Sequence, residues 1–282
     1  MSSLWTGLGA STRGNWHETT GQANQDAVRV QAGPAGSMLL AVSDGHGGAH
    51  SFRSERGSAL AVACATRLLA AFLLRLGPHV PLSCLRHQMQ VAWPHQVVLE
   101  WRRAVRADVG AHPFSPLDFA AFPEPMPATP PGGNWPYSAF LAYGATLLVA
   151  ALTRDFVIFA QLGDGDILTV TASGEVGRPL QRHHDFYQEQ SASLCTHGAA
   201  REFQVAVLPR RAHRPSLVML SSDGYANCFG NDEGFFKVGS DLLRYARDRG
   251  SRFLASHLGA WLHDSSRDGS GDDISVALGL RR

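Results

Sequence analysis

Three stretches of this sequence run a short apolar segment directly into an Asp-Gly pair. They are LLAVSDG, VIFAQLGDG and LVMLSSDG, and their acids are Asp44, Asp164 and Asp223. Asp26, in NQDAVRV, and Asp272, in GDDISVAL, stand instead just before such a segment. Short apolar runs bounded by turn residues predict buried strands, so all five carboxylates are expected at strand ends. A single Asp-Gly is typical of an ordinary turn, whereas its repetition at strand ends indicates a shared site.

The first two predicted strands suggest how the acids meet. Residues 27–31 alternate apolar and polar side chains, residues 38–43 are largely apolar, and the turn between them centres on Pro34 or Ala35. In an antiparallel pair the end of one strand lies beside the start of its neighbour. Asp26 is therefore expected opposite Asp44, and similar packing of the other strands would bring four or five acids to one edge.

Such a cluster of acids has a definite chemistry. Carboxylates a few ångströms apart in a poorly solvated cleft repel each other and need cations. All-oxygen ligands favour Mg²⁺ or Mn²⁺ over zinc, and a bridging carboxylate can hold two such ions about 4 Å apart. The glycine after each strand-end aspartate lets a peptide carbonyl approach an ion closely. The pattern therefore predicts a centre of two divalent cations.

The elements that position these acids indicate an α+β fold. The 282 residues are 44% hydrophobic and 17% charged, which predicts one globular domain over residues 1–282. Most predicted strands follow one another through short turns, which favours antiparallel sheets. Long helices are predicted at about residues 54–76 and 95–109. The many prolines between about residues 111 and 138 exclude a regular helix or a central strand and predict an inserted loop.

Composition excludes several classes of partner. The net charge is +1 without a strong basic cluster, so neither nucleic acid nor a membrane surface is expected as a partner. The four scattered cysteines favour a reducing cytoplasm, and the first residues lack the pattern of a secretory leader. The longest apolar stretch contains Arg67 and Arg75 and is interpreted as a packed helix, not an anchor. A cytoplasmic location is predicted.

Taken together, six stretches resemble the metal-dependent protein phosphatases of type 2C. In family order they are NQDAV, VSDGHGG, YGATLLVAAL, LGDGD, LSSDGYAN and GDDISVAL. The opening GASTRGNWHETTGQANQDA is similar to the bacterial branch. The resemblance implies two antiparallel sheets packed as a sandwich with helices outside and metals in a cleft at one end. It also implies a protein-serine/threonine phosphatase with phosphoserine and phosphothreonine proteins as substrates and a cognate serine/threonine kinase as partner.

Position by position, the resemblance implies a set of metal ligands. Asp44 would bridge two Mn²⁺ or Mg²⁺ ions, and the Gly45 carbonyl would bind one of them. Asp223 and Asp272 would complete the other. Asp273 stands where the family usually has asparagine, so either acid of the pair could be the ligand, and Asp272 is favoured.

The resemblance also implies the mechanism. Asp26 would act through a metal-bound water, and Asp164 matches the position of a weaker third ion. A hydroxide shared by the two cations would attack phosphorus directly, because the cations lower the pKa of bound water. His46, inside DGHGG, resembles the proton donor to the departing serine or threonine oxygen.

Phosphate binding is where the sequence departs from the family. Many members carry an arginine five residues before the first motif's aspartate, and here that position is Gly21. Arg13 or His17, from the preceding segment, could reach the phosphate in its place. Gln25 likewise replaces a common acid.

Two other readings of the sequence remain open at this stage. A catalytically silent phosphoprotein- or kinase-binding module would keep the fold, and Gly21 alone points that way. Residues 174–214 correspond to a flap in bacterial relatives, and within them Cys195 and Arg201 fit the C-x-x-G-x-x-R spacing of cysteine-dependent phosphatases. The polar residues before Cys195 and the predicted strand after it argue against such a loop.

Overall fold

The structure is a computed structural model that describes residues 3–77, 80–122, 137–181, 192–210 and 214–282. The described residues form ten strands: β1 (Trp5–Thr12), β2 (Ala27–Ala32), β3 (Met38–Ser43), β4 (Leu147–Leu152), β5 (Phe156–Leu162), β6 (Asp166–Val170), β7 (Val176–Gly177), β8 (Gln204–Pro209), β9 (Leu217–Ser221) and β10 (Ile274–Arg281). The same ranges form nine α-helices: α1 (Asn15–Thr20), α2 (Ser54–Arg75), α3 (Leu82–His87), α4 (Trp93–Ala111), α5 (Pro116–Ala120), α6 (Ala199–Glu202), α7 (Asp223–Ala226), α8 (Asp232–Arg249) and α9 (Ser251–Asp268).

The strands form two antiparallel sheets, which confirms the predicted fold class. One sheet has the order β1-β10-β9-β6-β7, and the other has the order β2-β3-β4-β5-β8. The β2-β3 hairpin pairs Ala27 with Ser43 and turns at Pro34–Gly36. The next residues outward are Asp26 and Asp44, so the observed register agrees with the predicted one.

The two sheets pack face to face. Their inner faces share one buried cluster to which β3 contributes Leu40 and Val42, β5 contributes Phe159, and β9 contributes Val218 and Leu220. Alternation along each strand turns the neighbouring side chains to the outer faces, where the helices cover them. The sandwich is therefore filled by apolar side chains, and its acids are confined to strand ends.

Helices cover both outer faces, with α2 and α4 on the second sheet and α8 and α9 on the first. The prediction of only two long helices was wrong, because α8 and α9 add two more of 18 residues each. Their local signals are present in the sequence. Asn231 caps α8 by accepting the N–H of Gly234, and α9 buries Leu254, Leu258 and Leu262 at a spacing of four.

Helix α2 is the described helix whose length and apolar character would suffice to cross a membrane. It buries Ala61, Ala65 and Leu69 in the core cluster that also contains Leu39 of β3 and Trp101 of α4. The prediction that this stretch is a packed helix is confirmed.

The proline-rich stretch contains one helix that the sequence analysis excluded. Ser115 accepts the N–H of Asp118, the Asp118 carboxylate accepts the N–H of Ser115, and Pro116 begins α5. A proline is tolerated there because the first helical turn needs no N–H from it. Residues 123–136 of the predicted insertion lie outside the described residues, as do residues 182–191 and 211–213 of the predicted flap. The strand expected after Cys195 is β8, which pairs with β5 at the sheet edge.

Candidate active site

A cleft of about 330 Å³ opens at the end of the sandwich where the predicted acids lie. It is lined by His17, Gln25, Asp44, Gly45, His46, Gly47, Gly48, Thr146, Asp164, Asp223 and Asp272. No lysine or arginine of the described ranges belongs to this lining. The cleft therefore presents acids and imidazoles to whatever enters it.

The loop after β3 is tied to the start of β4. Thr146 Oγ1 accepts the N–H of Asp44 at 3.0 Å, and the Thr146 N–H donates to the Asp44 carbonyl at 2.8 Å. Gly45 is packed so tightly that a Cβ there would lie 2.6 Å from the Gln25 carbonyl oxygen. These contacts hold Asp44 and the Gly45 peptide in one position. Sequence reasoning missed Thr146, although it follows the YGA of a quoted motif.

His46 lies in the same loop, is exposed, and lines the cleft. Its N–H donates to the Gly144 carbonyl at 3.1 Å, and a Cβ on Gly144 would lie 2.7 Å from His46 Cδ2. The glycine therefore leaves room for the ring. Although the ring is open to solvent on one side, desolvation by the surrounding walls lowers the pKa of His46, against the opposing charges of Asp164 and Asp223.

Asp26 and Asp44 lie next to each other in a place that disfavours charge. Burial raises the pKa of Asp26 well above the usual aspartate value despite a 2.6 Å hydrogen bond from Ser222 Oγ, and Asp273 and Asp272 add repulsion. Burial likewise raises the pKa of Asp44 well above that value, and the charges of Asp26 and Asp223 raise it further. Ser222 was not predicted, and its position one residue before Asp223 is the available signal.

The donor set fits divalent cations in its chemistry. The acids of the cleft are hard oxygen ligands, they repel one another, and no lysine or arginine of the described chain compensates them there. As the described side chains stand, no group of three or more His, Cys, Asp or Glu residues is placed to hold a metal ion. The carboxylates of Asp44, Asp164, Asp223 and Asp272 thus line a cleft that is open to solvent.

The adjacent acids Asp272 and Asp273 face different surroundings. Asp272 lines the cleft, and desolvation there raises its pKa, with Asp223 adding repulsion. Asp273 is only 3% exposed, and its two carboxylate oxygens accept the N–H groups of Gly14 and Gln25, each at 2.6 Å. Asp273 therefore anchors the segment before β2, while Asp272, whose Oδ1 accepts the N–H of Asp273 at 2.8 Å, faces the cleft.

Helix α1 ends at Gly21, the position where many family members have an arginine. Gly21 ends this helix in the left-handed conformation, with φ at 75°. His17 lines the cleft, and its Nδ1 lies 2.8 Å from Asp273 Oδ1, out of line for a hydrogen bond. Arg13 instead donates to the His17 carbonyl at 2.6 Å and does not line the cleft. Of the two predicted phosphate contacts, His17 is the one placed at the cleft.

Asp164 reaches the cleft from the turn between β5 and β6. Gly163 adopts a φ of 103°, and a Cβ there would lie 2.6 Å from Thr146 Cβ. The glycine thus allows the turn to sit against Thr146, and Asp164 remains exposed on the cleft side.

Cys195 lies elsewhere, in the core cluster under the second sheet. It is 4% exposed, and burial raises the pKa of its thiol, which disfavours a thiolate. The helix after it, α6, has only four residues, and Arg201 is exposed on it. These features do not form a phosphate-cradling loop.

An acid-lined cleft at one end of a two-sheet sandwich agrees with the class of protein phosphatase that the sequence motifs resemble. The sequence model described as Protein phosphatase 2C matches residues 13–263. The chain belongs to the protein phosphatase 2C family, and the predicted enzyme class is confirmed with it. No curated protein sequence matches the chain.

Solved structures show the same fold. The serine/threonine phosphatase Stp1 from Staphylococcus aureus is 13% identical over 100% of this chain and 97% of that chain, with a TM-score of 0.60. The S. agalactiae serine/threonine phosphatase is 18% identical over 99% and 100%, with a TM-score of 0.59. The catalytic domain of the phosphatase PstP, in complex with two manganese ions, is 16% identical over 98% and 97%, with a TM-score of 0.57.

Proposed function

We propose that this protein removes phosphate from phosphoserine and phosphothreonine residues of other proteins in a reaction that requires Mn²⁺ or Mg²⁺. The observation that carries the proposal is the meeting of acids from both sheets in one cleft, where Asp44 has a pKa raised by burial and by neighbouring acids. Such a cluster is stable in its ionised form only beside cations.

The metal-site residues we propose come from five different segments of the chain. Asp44 would contact two ions and the Gly45 carbonyl one of them, while Asp223 and Asp272 would contact the second. Asp26, hydrogen-bonded to Ser222, would act through water, and Asp164 would hold a weaker third ion. When bound, the two ions supply Lewis acidity that activates water and charge that neutralises the phosphate oxygens.

His46 is the proposed proton donor to the departing serine or threonine oxygen. Its ring lies at the cleft mouth, where a substrate side chain enters, and its lowered pKa makes its protonated form a stronger acid. His17 is the proposed phosphate contact, because it lines the cleft on α1 while Arg13 does not.

Neither alternative gains support from the site. A silent binding module would be expected to lack some of the acids, but the cleft retains Asp44, Asp164, Asp223 and Asp272 together with His46. A cysteine-dependent reaction would need a reactive thiolate, whereas Cys195 is buried with a raised pKa. We therefore retain the metal-dependent phosphatase as the function.

The test is hydrolysis of an aryl phosphate and of a phosphothreonine peptide, with and without Mn²⁺. Asp44→Asn should lose more than about 100-fold in activity, since changes to outer-shell partners of metals already cost about 10–100-fold. Cys195→Ser is the matched control and should keep its activity. Activity that survives chelation and disappears in Cys195→Ser would refute the proposal.

A cognate serine/threonine kinase and a cytoplasmic location remain proposals that depend on this activity. Incubation of the protein and Mn²⁺ with a candidate phosphorylated kinase should remove the kinase's phosphate. A kinase that stays phosphorylated beside enzyme that hydrolyses the peptide would rule out that pair.

A further inference from the structure

Trp16 is exposed to an unusual degree for a tryptophan on a tightly held segment. Its side chain is 71% exposed, although tryptophan is on average highly buried in proteins. Its backbone is held at both ends, because its N–H donates to the Gly271 carbonyl at 2.9 Å and its carbonyl accepts the hydroxyls of Thr19 and Thr20. The exposed indole therefore has a defined position.

The indole lies against the backbone at Gly271. A Cβ on Gly271 would lie 2.9 Å from Trp16 Cδ1, and the φ of 76° at this glycine disfavours any other residue. One edge of the ring is thus seated on the loop before β10, while most of its surface remains open. A planar apolar surface is held in water next to that loop.

The two residues that the indole connects, Trp16 itself and Gly271, are each followed in sequence by a residue of the cleft. The residue after Trp16 in sequence, His17, lines the cleft, and so does Asp272, the residue after Gly271. A substrate whose phosphorylated side chain enters the cleft must leave its backbone at the rim. Because an extended chain advances about 3.5 Å per residue, residues within about three positions of the phosphorylated one cover roughly 10 Å on either side of it.

We propose that Trp16 is a specificity-determining residue that packs against an apolar side chain flanking the phosphorylated serine or threonine of the substrate. This inference rests on the proposed function and names the substrate feature that the enzyme selects. Tryptophan suits the role because its large rigid surface loses little side-chain entropy on contact. No change in the chemistry at phosphorus is involved, so the effect should appear in KM and not in kcat.

The experiment compares the metal-loaded wild-type protein with Trp16→Ala and Trp16→Phe on phosphothreonine peptides that differ only in one flanking residue, Leu, Ala or Arg. The wild type should prefer a Leu peptide over its Ala counterpart by about tenfold in kcat/KM, a typical discrimination for an apolar contact. Trp16→Ala should lose this preference through KM, and Trp16→Phe should retain most of it. Aryl phosphate hydrolysis should be the same in all three proteins.

The matched control is Leu74→Ala, which removes an apolar side chain of equal exposure, 72%, near the end of α2. It should leave the peptide preference unchanged. An unchanged preference in Trp16→Ala, or an equal loss on every peptide, would overturn the inference while aryl phosphate hydrolysis upheld the proposed function. A preference for Arg that depends on Trp16 would overturn the apolar assignment. Wild-type protein inactive on every phosphate with either ion would overturn both proposals.

Discussion

Two aspartates near the same end of the sandwich, the buried Asp166 and the half-buried Asp44, have opposite surroundings. Asp166, at the start of β6, is 1% exposed and accepts a hydrogen bond from Arg178 Nε at 2.6 Å. Arg178 also binds Asp232 through both terminal nitrogens, at 2.6 and 2.8 Å, and stacks on the ring of Phe236. Asp44 has acids as its charged neighbours and, among the described residues, no such arginine.

The difference shows how the chain separates structural charge from functional charge. Around Asp166 the protein provides its own cation, which satisfies the carboxylate permanently and joins the base of the predicted flap to α8. Around Asp44 the described residues leave the charge uncompensated, so a bound cation would be stabilised by relief of the repulsion between the acids.

Removing the internal cation should cost the most stability. In Arg178→Met the buried Asp166 carboxylate loses its partner, and the free energy of unfolding should fall by about 3 kcal/mol. Urea unfolding monitored by circular dichroism measures the change. Arg178→Met combined with Asp166→Asn should recover part of the loss, because no uncompensated charge remains. A loss below about 1 kcal/mol would mean that solvent screens the pair like a surface ion pair.

Adding the external cation should stabilise the cleft. Mn²⁺ at about 100 times its dissociation constant should raise the free energy of unfolding by about 2.7 kcal/mol, because the ion binds only the folded protein. The same gain is expected in Arg178→Met and should be absent in Asp223→Asn. Thermal unfolding in a chelator and after addition of Mn²⁺ provides the measurement. Equal stabilisation of Asp223→Asn would place the ion elsewhere.

Asp272 and Asp273 should respond differently to the same substitution. Asp272→Asn should abolish Mn²⁺-dependent hydrolysis, while Asp273→Asn should keep it and lose about 1–2 kcal/mol of stability. The reason is that Asp273 accepts two backbone N–H groups, and an asparagine would turn a donor toward one of them. Paired activity and urea-unfolding assays check both parts. The opposite outcome would make Asp273 the metal ligand.

The smallest effect concerns pH in the absence of metal. The pKa values of Asp26, Asp44 and Asp272 are raised in the folded state, so the folded protein binds more protons than the unfolded chain. Stability should therefore fall as pH rises from the usual aspartate pKa of 3.8 through the raised values. Unfolding free energies measured in chelator across this range should show the slope, and Mn²⁺ or Asp44→Asn should reduce it. Stability that rises with pH over this range would contradict the repulsion.

Much of the framework could be predicted because its signals are local. The apolar runs of β3, β5 and β9 are recognisable in the sequence, and the turn between β2 and β3 lies where the sequence predicts it. The edge strand β1 was missed, since its glycines and small polar residues lack the pattern of a buried strand. Helices α8 and α9 carry a capping residue and regularly spaced leucines, so both helices could have been predicted from the sequence.

The supporting residues of the site were not predictable in the same way. Thr146 directly precedes β4, and Ser222 directly precedes Asp223. Nothing in the neighbouring sequence indicates that Thr146 binds the Asp44 backbone or that Ser222 binds the Asp26 carboxylate. Both contacts join residues more than 100 positions apart in the chain. Pairing of β3 with β4 in the second sheet brings Thr146 to Asp44, and packing of the two sheets brings Ser222 to Asp26.

The sequence by itself determined that acids stand at strand ends, because strands and turns follow from neighbouring residues. Only the tertiary structure decided which acids face the cleft. Asp272 lies in a bend and lines the cleft, whereas Asp273, just before β10, is buried. The reason is that Gly14 and Gln25, more than 200 positions away in the chain, donate their N–H groups to the Asp273 carboxylate.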